Sequence, residues 1–206
     1  LRILNKDGSA LHTITANRPP VYFRGQAGLL DVALDKNFAS NHRIFYVYLR
    51  NIDAETCAHA VDSAILDETA GTISNVTTIF QAAPFTNRAV SQSGSRIAVD
   101  PKDGNLFVAV GDRSTGDPLP LQAQHLDTYL GKVIHITPEG KPAPGNPSLG
   151  LPGTWSMGHR TPQGLTFAPD GRLWEVEHGP RGGDELNVIE KGKNYGWPVV
   201  SYGMNY

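Results

Sequence analysis

The sequence has little cysteine, little charge and no long apolar run, and each of these features excludes certain classes of structure or function. Cys57 is the only cysteine among 206 residues, which excludes an intramolecular disulfide and a zinc site built from several cysteines. Charged residues make up 18% of the chain, the formal net charge is -2, and basic residues are scattered, so no nucleic-acid-binding surface is indicated. No uninterrupted apolar stretch is long enough to cross a bilayer, so membrane insertion is not expected.

A strand-turn-strand unit recurs along the chain. The composition, with 39% hydrophobic residues, 22 glycines and 15 prolines, is that of a turn-rich all-β protein. The stretches VALDKNFASNHRIFYVYL, IAVDPKDGNLFVAVG and LTFAPDGRLWEVE each hold an apolar strand, a turn and a second strand with aromatic residues. Asp35, Asp100 and Ala168 take equivalent places in these units, 65 and 68 residues apart. This spacing predicts four-stranded β-propeller blades, about three of them at roughly 66 residues each.

The stretch EHGPRGGDELNVIEKGKNYGWP contains the densest cluster of candidate ligands. Gly179 and the later glycines let the backbone approach a ligand closely, and Pro180 stiffens the turn. Asp184 and Glu185 follow, so carbonyl and carboxylate oxygens lie within a few residues of one another, a mixture that calcium accepts. An ordinary polar turn between strands is the alternative, because Gly-Gly-Asp is also common turn chemistry.

Four blocks in the same order carry a family resemblance. They are GQAGLLDVALDKNFASNHRIFYVY, GSRIAVDPKDGNLFVAVGDR, LGKVIHITPEGKPAPGNP and the stretch from Gly158 to Tyr206 that begins GHRTPQG. Together they closely resemble the soluble pyrroloquinoline quinone (PQQ) dependent sugar dehydrogenases, the aldose sugar and soluble glucose dehydrogenase group. The resemblance implies an all-β, six-bladed β-propeller of four-stranded antiparallel blades. Residues 1–206 are then expected to be a single partial domain, incomplete at both ends, with roughly three blades.

The resemblance implies PQQ and calcium as cofactors. Gln26 matches a glutamine that lies against PQQ in the family, where an amide can both donate and accept hydrogen bonds. Arg160 matches an arginine that contacts PQQ, and a guanidinium suits a cofactor that carries carboxylates. The next residue departs from the family pattern, because Thr161 replaces the usual asparagine and offers a shorter reach with one donor fewer.

The same resemblance assigns two calcium sites. The main-chain carbonyls of Gly179–Pro180 are expected to hold the calcium associated with the cofactor. Glu185 and the backbone oxygen of Tyr195 match a second calcium site. Oxygen ligands of this kind suit calcium, whereas zinc prefers nitrogen or sulfur. His159 and His178 are therefore not expected to be metal ligands.

The position of the catalytic base departs most from the family. Family enzymes carry a histidine four residues before the arginine of a Gly-Gly-Arg or Gly-Ser-Arg segment, and it removes the proton of the sugar hydroxyl. Arg96 is that arginine here, and Gln92 takes the place of the histidine. An amide holds a hydroxyl by hydrogen bonding but does not accept its proton near neutral pH. Asp112 matches an aspartate that supports the histidine in glucose dehydrogenases, and it is the candidate for a weaker base.

Two hypotheses of different kinds follow. The first is oxidation of aldose sugars to lactones by hydride transfer to PQQ, with calcium bound and a separate electron acceptor. The second is a catalytically silent β-propeller that binds sugar, calcium or protein, and Gln92 and Thr161 favour it. A propeller hydrolase such as a calcium-dependent lactonase is a weaker third alternative, because a fold alone does not fix a function.

The family resemblance implies a cellular location, and the open sheet edges expected of a partial propeller bear on the oligomeric state. Leu1 begins without a basic region followed by an apolar one, so either an export signal is absent or the chain is a processed or trimmed form. The resemblance implies a periplasmic or secreted location. Near-neutral charge and unpaired sheet edges are compatible with a homo-oligomer, without specifying its symmetry.

Overall fold

The computed structural model describes residues 1–82, 86–87, 91–113 and 121–204, and almost all of the regular structure in them is β. One short α-helix, α1, covers Phe38–Asn41, and a 3-10 turn covers Gln122–Gln124. The strands are β1 Arg2–Leu4, β2 Ala10–Thr13, β3 Leu29–Leu34, β4 Arg43–Asn51, β5 Thr56–Asp67, β6 Thr72–Gln81, β7 Thr86–Asn87, β8 Ser95–Val99, β9 Leu106–Val110, β10 Lys132–Ile136, β11 Thr154–Met157, β12 Pro162–Phe167, β13 Leu173–Glu177 and β14 Glu185–Val188.

Three antiparallel sheets follow one another as blades. The first has the order β3-β4-β5-β6, with β7 also paired to β5. The second has the order β8-β9-β10-β11, and the third has β12-β13-β14. The first strands of the three sheets lie side by side, because β3 and β12 both pack against β8. The predicted all-β fold is confirmed as a partial β-propeller, with β3, β8 and β12 as the inner strands.

The predicted repeat is confirmed at its turns. Asp35, Asp100 and Ala168 each come directly after an inner strand, and each backbone N–H closes the turn to the next strand. Their acceptors are the carbonyl oxygens of Arg43, Asn105 and Arg172, at 2.8 to 2.9 Å. The repeat seen in the sequence is therefore the inner hairpin of each blade.

The core lies between the blades, because the middle strands of the first two blades bury both of their faces. Along β9, Leu106, Val108 and Val110 pack toward the first blade, while Phe107 and Ala109 pack toward the third. Side chains of a strand alternate between its two faces, so a strand covered on both sides reads as a continuous apolar run. No helix in the described part of the chain is long and apolar enough to cross a membrane.

Candidate functional site

The predicted cofactor residues occupy equivalent places in the three blades. Gln26 lies three residues before β3, and Gln92 lies three residues before β8. Arg160 and Thr161 come directly before β12. Because β3, β8 and β12 lie side by side, the segments that enter these strands meet at one end of the inner layer. The repeat thus brings together side chains that are far apart in the sequence.

These segments enclose a cavity of about 260 Å³. All five residues that the resemblance assigns to PQQ or to its calcium line it, and so does Gln92. The rest of the lining comes from the loop after β13 and from the residue before Gln92. The full lining is Gln26, Ser91, Gln92, Arg160, Thr161, His178, Gly179, Pro180 and Asp184. Two larger cavities, of about 570 and 370 Å³, contain none of the predicted site residues.

Arg160 is held in place from several sides. Its side chain is 5% exposed, and Nη1 donates a hydrogen bond to the carbonyl oxygen of His178 at 2.9 Å. The guanidinium lies over the ring of Trp197, 5.0 Å from the ring centroid, which is a cation–π contact. A guanidinium fixed in this way meets an anionic ligand without first losing side-chain entropy.

The backbone of the Arg160 segment rests on a buried carboxylate, which the sequence did not point to. Glu177 Oε2 accepts hydrogen bonds from the backbone N–H groups of Arg160 and Thr161, the second at 3.3 Å. Glu177 is 2% exposed, and burial together with the nearby charge of Glu175 raises its pKa. A charge-assisted bond of this kind fixes the segment more firmly than a neutral one would.

The loop after β13 is compact and leaves two carbonyl oxygens open. Asp184 Oδ1 accepts from the backbone N–H of Gly179 at 3.0 Å, and this bond, with the neighbouring His178, lowers the pKa of Asp184. A Cβ on Gly179 would lie 2.3 Å from the carbonyl oxygen of Gly182, so only glycine fits. Within the described residues, neither Gly179 nor Pro180 uses its carbonyl oxygen as a hydrogen-bond acceptor. Both oxygens are therefore available to a cation.

Gln92 is held in an uncommon conformation beside the cavity. Its φ is 50°, in the left-handed region that costs a non-glycine residue roughly 1 kcal/mol or more. The backbone around it is held by Arg113, whose N–H donates to the Gln92 carbonyl oxygen at 3.3 Å and whose guanidinium donates to Ser91 and Ser93. The Gln92 side chain is 8% exposed, and its Oε1 has no hydrogen-bond partner in the described structure. The amide is thus directed into a site where a ligand could satisfy it.

Asp112 lies outside the cavity lining. Its side chain is fully buried, and Oδ2 accepts a hydrogen bond from the indole Nε1–H of Trp197. Its backbone N–H donates to the Arg160 carbonyl oxygen at 2.9 Å. This arrangement ties the end of β9 to the Arg160 segment and to the ring on which Arg160 rests. The contacts give Asp112 a positioning role.

Glu185 and Tyr195 are the residues assigned to a second calcium site. Glu185 lies near the carboxylates of Glu175 and Glu177, since all three accept from Asn187 Nδ2. Burial raises the pKa of Glu185, and its Oε2 accepts from Asn187 Nδ2 at 3.2 Å. The Tyr195 ring stacks on His159 with centroids 4.7 Å apart, and its hydroxyl donates to the Val188 carbonyl oxygen. The phenol is therefore engaged in hydrogen bonds and ring stacking, and the backbone oxygen of Tyr195 as a calcium ligand stays a prediction.

His178 and Asp184 belong to the cavity lining, although the sequence offered His178 only as an unlikely metal ligand. Asp184 Oδ2 lies 3.4 Å from His178 Nδ1. Both side chains are more than half exposed, so the pair faces solvent at the cavity mouth. The spacing of six residues across a glycine-rich turn was the signal that could have indicated their contact.

The fold is that of a partial β-propeller with a cavity where its inner strands begin. The sequence profile of the Glucose / Sorbosone dehydrogenase family matches residues 1–206, so the chain belongs to that family. The aldose sugar dehydrogenase YliI of Escherichia coli (strain K12) is 37% identical over 204 residues, which cover 97% of this chain and 53% of that protein. The quinoprotein glucose dehydrogenase B of Acinetobacter calcoaceticus is 31% identical over 199 residues, covering 86% of this chain and 41% of that protein.

Solved structures give the same result. The soluble aldose sugar dehydrogenase of Escherichia coli in its apo form superposes with a TM-score of 0.87 at 34% identity, covering 100% of this chain and 58% of that one. The PQQ-bound aldose sugar dehydrogenase of Streptomyces coelicolor gives a TM-score of 0.78 at 32% identity, covering 96% and 56%. The chain spans about half the length of the curated relatives that it matches.

Proposed function

We propose that this chain forms part of a site for the PQQ- and calcium-dependent oxidation of aldose sugars to lactones. The observation that carries the proposal is the single cavity that collects the five residues assigned to the cofactor, together with Gln92. Membership of a sugar dehydrogenase family supports the reaction class. The relatives' names supply the aldose substrate and the quinone cofactor.

The residues present fit both cofactors. PQQ is a tricarboxylate, and the fixed, buried guanidinium of Arg160 suits one of its carboxylates. The two open carbonyl oxygens of Gly179 and Pro180 are hard donors that suit calcium. Gln26 and Gln92 add amides that can donate to and accept from ligand oxygens. When bound, PQQ would accept hydride from the sugar, and calcium would polarise the quinone.

The protein's own part is to bind, orient and exclude water, and the proton transfer is where it departs from the family. Arg160, itself held by the Trp197 ring and the His178 carbonyl oxygen, would bind a carboxylate of the ligand in the cavity. Gln92 can hold a sugar hydroxyl by hydrogen bonding, but it does not take the proton. We therefore expect turnover well below that of an enzyme with histidine here, by roughly 10² to 10⁴.

A binding protein without turnover is the second candidate function. The observation that favours it is Gln92 itself, a buried amide at the position where the family places its base. Such a protein would keep the cation and ligand contacts of the cavity and lose only the chemistry. The two candidates share their binding step and differ in whether sugar is oxidised.

Titration calorimetry with PQQ tests the binding step. The chain and the complete product of its gene are each titrated with PQQ in the presence of calcium and again with a calcium chelator. We expect tight binding that depends on calcium. Arg160→Lys should weaken it about 10- to 100-fold, because a fork of parallel donors is replaced by a point charge. Arg172→Lys, at an exposed arginine paired with Asp170, is the matched control and should bind as the wild type does. Absence of PQQ binding by the complete product would refute the proposal.

Sugar-dependent dye reduction then separates the two functions. The PQQ-loaded protein is assayed with a panel of aldoses, and Gln92→His is compared with the wild type. A gain in kcat for Gln92→His at unchanged PQQ occupancy is expected if Gln92 faces the reacting hydroxyl. Turnover by neither protein, with PQQ bound in both, would favour the binding function. A periplasmic or secreted location is part of this proposal and rests on the family resemblance.

A further inference from the structure

A second cluster of ligating side chains lies behind the cavity wall, and it is fully buried. Glu175 and Glu177 are two residues apart on β13, so their side chains point to the same face of the strand. His159 Nδ1 lies 3.2 Å from Glu175 Oε2 and 3.5 Å from Glu177 Oε1. The three residues are 0 to 2% exposed. Among the described residues, no other group of three or more His, Cys, Asp or Glu side chains brings its ligand atoms this close together.

Two buried atoms in this cluster lack a hydrogen bond. Glu175 Oε1 and His159 Nδ1 have no hydrogen-bond partner within the described structure, although Nδ1 is at ion-pair distance from both carboxylates. A buried carboxylate oxygen without a partner is destabilising, so the observation calls for an occupant. No lysine or arginine of the described residues forms an ion pair with either glutamate. Two carboxylates and a neutral imidazole carry a charge of about -2, which a divalent cation would neutralise.

From this geometry we infer that His159, Glu175 and Glu177 form a zinc site. In a tetrahedral site with metal–ligand bonds of about 2.0 to 2.1 Å, neighbouring ligand atoms lie about 3.3 Å apart. The two separations from His159 Nδ1, 3.2 and 3.5 Å, are close to that value, and all three ligand atoms lie within 4.8 Å of one another. One imidazole nitrogen with two carboxylates is a ligand set that zinc accepts, whereas calcium prefers oxygen alone.

The surroundings support the ligands as they do in known metal sites. His159 Nε2 lies 2.9 Å from Ser156 Oγ, and an Nε2–H donated to that hydroxyl leaves the Nδ1 lone pair facing the carboxylates. Asn187 Nδ2 donates to Glu175 Oε2 at 3.4 Å and to Glu177 Oε1 at 3.2 Å, which orients both carboxylates. The prediction that His159 is not a metal ligand rested on the oxygen ligands that the family uses for calcium. It did not consider a separate site for another metal.

The alternative occupant is a proton. Burial alone would lower the pKa of His159, but the charges of Glu175 and Glu177 raise it to about 10. The cluster therefore attracts a cation even without a metal ion. A zinc ion would displace this proton, and zinc analysis distinguishes the two states because only one of them contains metal.

Metal analysis of the complete gene product, purified without a polyhistidine tag, tests the inference. The protein is reconstituted with zinc in calcium-containing buffer, dialysed, and analysed by mass spectrometry of the dissolved metal. We expect one zinc per chain, removed by a strong chelator. His159→Gln and Glu175→Gln should each lose it, and His125→Gln, at an exposed histidine, should retain it. A folded wild type that retains no zinc would overturn the inference, and so would zinc retained by both ligand variants.

A milder variant protects the test against misfolding. Ser156→Ala keeps all three ligands and removes only the partner of His159 Nε2, so we expect zinc affinity to fall about 10- to 100-fold in a protein that still folds. Affinity is read from competition with a chromogenic chelator. Unchanged affinity in Ser156→Ala, with zinc still bound, would show that the ion sits elsewhere and would overturn the assignment. None of these readings depends on PQQ or turnover.

Discussion

His59 gives a prediction whose size can be worked out from the structure. It lies on β5, is 1% exposed, and its Nε2 is 2.6 Å from the Ser93 carbonyl oxygen and 3.2 Å from that of Gly94. Burial, and then the charge of Arg113, lower its pKa from 6.5 to about 4. Its neutral ring thus holds the backbone next to Gln92. Between these two values the folded chain binds fewer protons than the unfolded chain, so stability falls as the pH falls.

The magnitude follows from linkage. A pKa change from 6.5 to about 4 corresponds to about 3 kcal/mol when fully developed. This stabilisation is fully present above pH 6.5, the pKa of His59 in the unfolded chain. It is lost as the pH falls toward about 4, the pKa of His59 in the folded chain. Between pH 7 and pH 5 the loss from this residue alone is about 2 kcal/mol, since at pH 5 the unfolded ring is nearly all protonated and the folded ring is not.

The measurement is urea unfolding at pH 7 and pH 5. His59→Gln keeps an amide that can donate to the same carbonyl oxygens and removes the titration. The free energy of unfolding should fall between the two pH values by about 2 kcal/mol less in His59→Gln than in the wild type. His125→Gln controls for the loss of a histidine at an exposed position. An equal fall in the wild type and His59→Gln would refute the reasoning.

Two further predictions concern groups buried behind the site. Lys132 is 1% exposed, burial lowers its pKa to about 8, and its Nζ donates to three carbonyl oxygens at 2.8 to 3.1 Å. Lys132→Met keeps the bulk and removes these three hydrogen bonds, while the Gln122 and Ala123 oxygens keep bonds from the backbone N–H groups of His125 and Gly158. The unfolding free energy should therefore fall by about 2 kcal/mol in urea titrations. Trp197→Phe removes one donor to the buried Asp112 and should cost about 1 to 3 kcal/mol in the same assay; a cost near zero would mean that this bond contributes nothing.

The fold was predictable because its signals are local. The turns at Asp35, Asp100 and Ala168 recur at nearly equal spacing, and the strands that follow the first two, β4 and β9, contain unbroken apolar runs. Turn chemistry and an unbroken apolar run are properties of neighbouring residues, so they can be read without knowing the tertiary structure. Within the described residues the third sheet has three strands, and which strands pair with one another could not be read from local signals.

The cavity was predictable only in part. Resemblance pointed to Arg160 and Gln92, and the structure shows why they meet, since both precede inner strands that pack together. The residues that hold them were not found in the sequence. Arg113, in the segment after β9, and His59, on β5, reach the Gln92 segment across separations of 20 and 34 residues, and nothing local distinguishes them from ordinary buried groups. Such supporting contacts depend on the tertiary structure and cannot be read from the local sequence.

Glu177 connects the cavity to the inferred zinc site through its two oxygens. Oε2 accepts from the backbone of Arg160 and Thr161, and Oε1 faces His159. A zinc ion on Oε1 would fix the carboxylate and, through Oε2, the segment that carries the guanidinium into the cavity. Any effect of zinc on PQQ affinity must then equal the effect of PQQ on zinc affinity, because coupling between two binding sites is reciprocal. The open cavity and the buried zinc site would then be energetically coupled through Glu177.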